Sequence, residues 1–401
     1  MTIFGIIWCL LIIYCLSKNN IKYITFITLF SMIFQSTNII DNKFILMGPQ
    51  VITNITFIIY CIFKYHSILF KKPQKKDLII IIGYALFLVI IISSILSSSL
   101  TLKLFRIIQL LIYLTTFSII TKISDKYDKK FIHDSILIIT IFVLIMGLIQ
   151  ILITTSLISR SQVISELFYN DIASNVYYWH FGYDRICSVF MEASYCGAFL
   201  CGALFYFLNY YKQLNLKSII LILLILIEII LTKSTSAYIS CFLCTILFII
   251  FSKDKKLKIL LILFSLITFL ILFIFFKDVL NTVIFNKLTS GSAITRYNWN
   301  LYSINAFKSS PLIGIGYKNI RGSSIICSLL GQIGIIGLLL YLAFNILIII
   351  KNRKNKFALS ILSIFIIQII ACPDLDFCVY WLFLFLLGIL YKEREVKYEN
   401  I

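Results

Sequence analysis

The chain has 401 residues, 61% of them hydrophobic and only 13% charged, with a mean hydropathy of +1.01. Repeated apolar runs such as IILILLILIEIILT (219–232) and ILLILFSLITFLILFIFF (259–276) exclude a soluble globular domain, because in hydrocarbon such segments satisfy their backbone only as helices. The net charge of +19 does not point to nucleic acid: the lysines sit in short clusters between apolar runs, as the positive-inside rule requires.

In chain order, apolar length and lysine placement give thirteen approximate spans: 3–17, 22–36, 44–63, 77–97, 102–121, 132–156, 186–211, 218–232, 235–251, 259–276, 323–350, 357–372 and 376–391. The first segment lacks a basic lead and a small-residue cleavage site, so it reads as a span and not as a leader. Basic loops fall at 18–22, 64–76, 122–130, 212–217, 253–258, 351–356 and 392–397. This places the N-terminus outside and the C-terminus inside. The whole chain, 1–401, reads as one transmembrane domain with two long outer connections, 157–184 and 277–322. Short inner loops and long outer ones place the function on the outer face.

Seven arginines are present, and they do not follow the lysines. Arg160, Arg185, Arg296 and Arg321 all fall on the predicted outer side, in or beside the long connections. A planar guanidinium is the preferred group for bidentate binding of phosphate or carboxylate, so these four mark a candidate anion site; solvated loop charges are the bland alternative. In DRICSVFMEASYCG (184–197), Arg185 and Glu192 are seven residues apart, which on a helix puts both on one stripe. An ionisable group at span depth costs about 2.5–3.5 kcal/mol on insertion scales, so Glu192 has either a task or a structural partner.

In TRYNWNLYSINAF, Arg296, Trp299, Asn300 and Ser303 recur at helical spacing, a face for phosphate and sugar. Pro311 ends that helix, and Gly314 and Gly316 in PLIGIG allow a tight backbone path near a ligand. Glycines 331, 334 and 337 read as close helix packing. Asp374 with Asp376 in CPDLDF is either a carboxylate pair near the site or a pair of turn residues. His180 is a candidate acid, base or donor. Glu228 is mid-span and either pairs with Lys233 or fixes helix packing. TKSTSAY (232–238) reads as a short capped turn, and Arg106 as a snorkelling residue. The Cys241/Cys244 CxxC lies in a span with no second pair, so no metal site is expected; a Cys372–Cys378 disulfide is left open.

Four segments resemble the Wzy-type polysaccharide polymerases and the related O-antigen ligases of bacterial envelopes. They are RICSVFMEASYCGAFL, LTKSTSAYISCFLC, AITRYNWNLYSINAFKSSPLIGIGYKNI and LLGQIGIIGLLLYL, in that order within about 180–345. Ala193 departs from the pattern where a proline is common. The second outer connection has no histidine, which favours polymerase over ligase.

The resemblance implies an all-α, polytopic, GT-C-like membrane bundle of about 12–13 transmembrane helices with two long extracytoplasmic loops. It implies a metal-independent membrane glycosyltransferase with no cofactor, multi-pass in a bacterial inner membrane, with its active site facing the periplasm. Such enzymes serve lipopolysaccharide or capsule biosynthesis. They transfer a growing glycan from undecaprenyl pyrophosphate to the non-reducing end of a new carrier-linked repeat unit. Partners would be the lipid-linked oligosaccharide, membrane lipids, a chain-length regulator and the flippase of the same pathway, with no nucleic acid. Arg185 and Arg296 would stabilise the leaving pyrophosphate, with Arg321 assisting. Glu192 is the first candidate base, with Asp374 or His180 behind it. Trp299, Asn300, Arg160, Gly314 and Gly316 would bind substrate. O-antigen ligase and lipid-linked oligosaccharide flippase are the alternatives. A flippase should carry charges through its central spans and show repeats, and neither is seen.

Overall fold

The computed structural model describes residues 3–35, 37, 39, 48–69, 78–97, 100–154, 185–190, 192–211, 216–251, 291–352 and 357–390. These residues form thirteen α-helices and, among the described residues, no strand. In chain order they are α1 (Ile3–Ser17), α2 (Ile21–Ser31), α3 (Pro49–Leu69), α4 (Leu78–Leu96), α5 (Leu100–Lys122), α6 (Lys129–Thr154) and α7 (Ala193–Tyr210). They continue with α8 (Leu216–Leu231), α9 (Thr235–Phe251), α10 (Gly291–Ser309), α11 (Ile325–Asn352), α12 (Ala358–Ile370) and α13 (Cys378–Ile389). Five helices, within α3, α4, α5, α6 and α11, are long and apolar enough to cross a bilayer singly, and α1, α2, α9, α12 and α13 are shorter apolar helices. The protein is a polytopic helical membrane protein. The expected span at 259–276 and the first long connection lie outside the described residues.

Helices that are apolar all round are sorted by their small residues. Every residue of α7 from Ala193 to Leu208 is buried, and so is every residue of α13. Gly202 of α7 admits the Phe383 ring and Ile364, and Gly197 admits Ala237, so neighbouring helices close onto α7 where a larger side chain would hold them off. On α4, by contrast, Ile81, Leu88, Ile92 and Ile95 remain exposed, as a lipid-facing helix requires. On α1 the stripe Phe4, Trp8, Ile12 and Cys15 faces inward at intervals of four and three residues, and Trp8 stacks on Phe30 while Phe30 meets Phe142 edge-on.

The polar contacts divide the bundle into two ends. At one, Lys22 pairs with Asp128 at 2.9 Å, Lys64 donates to the Asn19 carbonyl at 2.7 Å and Lys122 to the Leu69 carbonyl at 2.6 Å. Three basic loops expected to share a membrane face therefore meet. His133, early in α6, stacks on Tyr210, at the end of α7, at 3.9 Å on that same end. The arginines at 106, 185, 296 and 321 belong to the opposite end.

Two breaks shape that opposite end. α11 is interrupted at Gly334 (φ 66°), and the chain leaving α10 crosses there through Pro311–Gly316. Gly331 and Gln332 carbonyls accept from the Ile315 and Gly316 amides, both at 2.9 Å, and the Ile335 amide donates to the Pro311 carbonyl at 2.9 Å. The two irregular strands of backbone thus satisfy each other, which non-helical backbone inside a bundle must do. Gly314 and Gly334 are required here twice over. Both have positive φ, and a side chain on either would run into the facing backbone, at Gln332 and Leu312 respectively. Ser93 of α4 also donates to the Gln332 carbonyl at 2.8 Å.

Candidate functional site

Arg185 and Glu192 are not on one helical stripe. Residues 185–190 are irregular, Ser188 has φ 52°, and α7 begins only at Ala193 with Glu192 as its cap position. The expected span at 186–211 therefore starts several residues late. The cause lies in α6: Gln150 accepts from the Cys187 and Ser188 amides at 2.9 Å each and donates to the Arg185 carbonyl at 3.2 Å. Ser188 donates to the Val143 carbonyl at 2.7 Å, and the Ile186 amide to the Leu231 carbonyl at 3.1 Å. The segment is tied to α6 and to the α8–α9 turn by bonds that helix formation would forfeit.

Arg185 donates through Nε to the Thr232 carbonyl at 3.0 Å, which locks the plane of the guanidinium, and among the described residues it has no carboxylate partner. The same holds for Arg296, partly exposed on α10, which has no ion-pair partner among the described residues. Glu192 accepts from the Ser194 hydroxyl at 3.0 Å. Its charge reaches Arg321 and Cys372, and the charge of Arg296 also reaches Cys372. Arg321 lies over the Trp299 ring, 5.8 Å from its centroid, and bonds Asp374 at 3.2 Å through Nη2. Arg296, Arg321, Trp299, Glu192 and Asp374 are thereby gathered at one end, from α10, the turn before α11, the start of α7 and the α12–α13 turn. Arg160 and His180 lie outside the described residues.

The predicted helical face of the second connection exists as α10, but it turns as it proceeds. Trp299 is 41% exposed, Asn300 Oδ1 accepts from the Ser323 amide at 2.8 Å, and Ser303 is fully buried against Gly331 of α11. Asn300 thus ties α10 to the entry of α11. Gly314 and Gly316 meet the broken part of α11 through backbone bonds.

One charged residue was not anticipated from the sequence. Lys318, held at φ 59°, bridges Asp374 Oδ1 at 2.5 Å and Asp376 Oδ1 at 2.9 Å. Arg106 of α5 reaches the other Asp376 oxygen at 3.5 Å, and Tyr195 donates to Asp374 Oδ2 at 3.2 Å. Burial alone would raise the Asp374 carboxyl, but Lys318 and then Arg321 outweigh it and hold the group down at about 2. Burial works against the Lys318 ammonium, and the Asp376 and Asp374 charges overcome it and raise that group. The signal available in the sequence was a lysine on the wrong side for the positive-inside rule.

All eleven cysteines are free, including Cys372 and Cys378. Among the described residues no group of three or more His, Cys, Asp or Glu side chains is placed to hold a metal ion.

Residues 219–326 match a family model described as O-antigen ligase, and the match runs from α8 through α10 and the glycine crossing into the first residues of α11. This is consistent with a member of the Wzy/O-antigen ligase-like superfamily, and it supports a ligase- or polymerase-like function and a membrane glycosyltransferase-like enzyme acting on lipid-linked oligosaccharide. No curated protein matches the chain.

Proposed function

We propose that this protein is a polysaccharide repeat-unit polymerase of a bacterial inner membrane, working at its periplasmic face on undecaprenyl pyrophosphate-linked glycans. The observation that carries the reading is that Arg185 and Arg296 have no carboxylate partner among the described residues, at the end of the bundle that also holds Arg321 and Glu192. Cations fixed at that end, with no carboxylate partner among the described residues, suit an anionic leaving group.

In the proposed reaction Glu192 takes the proton of the acceptor hydroxyl, and the oxygen attacks the anomeric carbon of the donor. The bond from that carbon to the pyrophosphate oxygen breaks, and the pyrophosphate keeps the electron pair. Arg185 and Arg296, with Arg321 assisting, stabilise that developing charge. Trp299 offers a flat apolar surface to a sugar ring. Arg160 and His180 stay as proposed contributors from the first long connection. Asp374 is better suited to hold Arg321 than to act as a base, because its oxygens already serve Lys318, Arg321 and Tyr195, and a carboxyl at about 2 is a weak proton acceptor. The second reading is O-antigen ligase, favoured by the description of the matching family model.

The test is complementation of a null strain carrying the native gene cluster, scored by the glycan-length ladder with membrane levels checked. Wild type is expected to restore a ladder. Arg185→Ala, Arg296→Ala and Glu192→Gln are expected to leave a single repeat unit at normal protein level. Polymer that accumulates on its carrier without delivery to the acceptor in the null strain would establish ligase instead. Full ladders from both arginine variants would remove the site.

A further inference from the structure

The proposed reaction gives Trp299 a task and leaves its neighbours on the open side of α10 without one. α10 packs on α11, with Ser303 and Ala306 buried and Asn300 tied to Ser323. Its exposed side chains sort into two stripes. Ile294, Tyr297 and Leu301, at i, i+3 and i+7, form an apolar stripe. Thr295, Asn298, Trp299 and Tyr302, at i, i+3, i+4 and i+7, form a second, about a third of a turn around the helix.

The two stripes differ in chemistry. The first is of the kind that faces hydrocarbon. In the second, two aromatic rings are flanked by a hydroxyl and a carboxamide, and no member is charged. An aromatic face takes the C–H side of a sugar ring, and hydroxyl and amide groups beside it take the sugar hydroxyls. Trp299 and Tyr302 lie about 4.5 Å apart along the helix axis, and the stripe from Thr295 to Tyr302 is about 10 Å long. That length suits successive rings of one glycan chain. The stripe is also continuous with the proposed site. Arg321 lies over the Trp299 ring, and Arg296 neighbours Trp299 three residues earlier on the same helix. Tyr302 is 62% exposed, so its ring is open to a ligand.

We infer that this stripe of α10 is a glycan-binding platform, with Tyr302 as a second aromatic subsite beside Trp299, that holds the sugars next to the reacting end of the lipid-linked chain. Such a platform presupposes the glycan transfer proposed above and adds to it a determinant of chain length. No bond is made or broken there. A glycan long enough to span both rings leaves more slowly than a short one, so elongation gains over release. The bilayer is the competing occupant, and the stripe through Tyr297 is its better match.

The experiment uses the full chain in detergent and oligosaccharides of one and of two repeat units, released from the native polymer by mild acid. Binding is followed by saturation-transfer NMR titration, and the glycan ladder is scored in the null strain carrying the native gene cluster. Wild type is expected to bind the longer oligosaccharide more tightly. Tyr302→Ala is expected to weaken that binding about fivefold and to shift the ladder toward shorter chains, while Tyr302→Phe keeps both because the ring is retained. Tyr297→Ala, on the apolar stripe, is expected to match wild type. Tyr302→Ala that binds as wild type does, or wild type that binds neither oligosaccharide, overturns the platform. Equal losses in Tyr297→Ala and Tyr302→Ala overturn it in favour of bilayer contact. A wild type that binds oligosaccharide but restores no ladder would remove the polymerase reading and leave the platform standing.

Discussion

Removing the Lys318 ammonium should be among the most destabilising single changes at the arginine-bearing end. Lys318→Met leaves Asp374 and Asp376, 13% and 3% exposed, without the cation that bridges them at 2.5 and 2.9 Å. Stripping one partner from a buried pair costs about 3–5 kcal/mol. Arg321 at 3.2 Å and Arg106 at 3.5 Å stay to compensate part of it, so about 2–4 kcal/mol is expected here. The backbone adds a second, separable term. Lys318 has φ 59°, a left-handed conformation costing a non-glycine residue about 1–2 kcal/mol. Lys318→Gly loses the same ion pairs but relieves that strain, so it should be the milder of the two. Thermal unfolding in detergent of wild type, Lys318→Met, Lys318→Gly and Lys318→Met/Asp376→Asn reads both terms. The double variant should recover part of the loss, because it removes the carboxylate that the single variant strands. A Lys318→Met midpoint equal to wild type, or strictly additive effects in the double variant, would refute the argument.

Asp374 should make stability acid-sensitive. Its folded value of about 2 lies below the ordinary 3.8, so its contribution is fully present above about pH 4 and is lost as pH falls toward 2. That contribution is about 2 kcal/mol, and a pH series of unfolding midpoints should show it vanish in Asp374→Asn. Gly334→Ala should destabilise by about 3 kcal/mol or more, since it meets both a positive φ and the Leu312 backbone, whereas Gly337→Ala, which meets only the Ile333 side chain, should cost less; surviving folded protein after heating distinguishes them. Gln150→Leu should release the Cys187 and Ser188 amides and cost about 1–3 kcal/mol per stranded group, while also lowering glycan elongation through the displaced Arg185. Normal elongation from a destabilised Gln150→Leu protein would separate the segment's structural role from its proposed functional one.

How much of this was legible in the sequence depended on whether the cause was local. Apolar length and lysine placement are local, and they located α1, α4, α5, α6, α8, α9, α11, α12 and α13 within about three residues, along with the end that the described arginines 106, 185, 296 and 321 share, whereas α3 lies five to six residues later than the 44–63 expected. Pro311 ended α10 as its chemistry dictates, with the helix stopping at Ser309. The start of α7 was misplaced because the deciding bonds come from Gln150, 37 residues upstream of Cys187, and no local pattern reports them. Gly334 read as helix packing because glycine in an apolar run has that meaning far more often. Its actual role needs the Pro311–Gly316 segment lying across it, a pairing known only once the chain has folded. Lys318 was passed over for the same reason, since its two aspartates lie 56 and 58 residues away.

The crossing and the ion network belong together physically. Interrupting α11 at Gly334 brings 311–316 into the bundle, and the chain must then climb out through Tyr317 and Lys318. Tyr317 is fully buried, so Lys318 emerges where its ammonium meets the Asp374–Asp376 turn between α12 and α13. Three residues later Arg321 is held between Asp374 and the Trp299 ring. The rigid feature is therefore the backbone crossing, and the arginine inherits its position from it. If that is so, Gly314→Ala should displace Arg321 without touching it. Cysteine placed at 321 in that background should change its reactivity toward a charged thiol reagent by severalfold relative to the same cysteine alone. Identical reactivity in a folded Gly314→Ala protein would show that Asp374 and Trp299 position residue 321 by themselves.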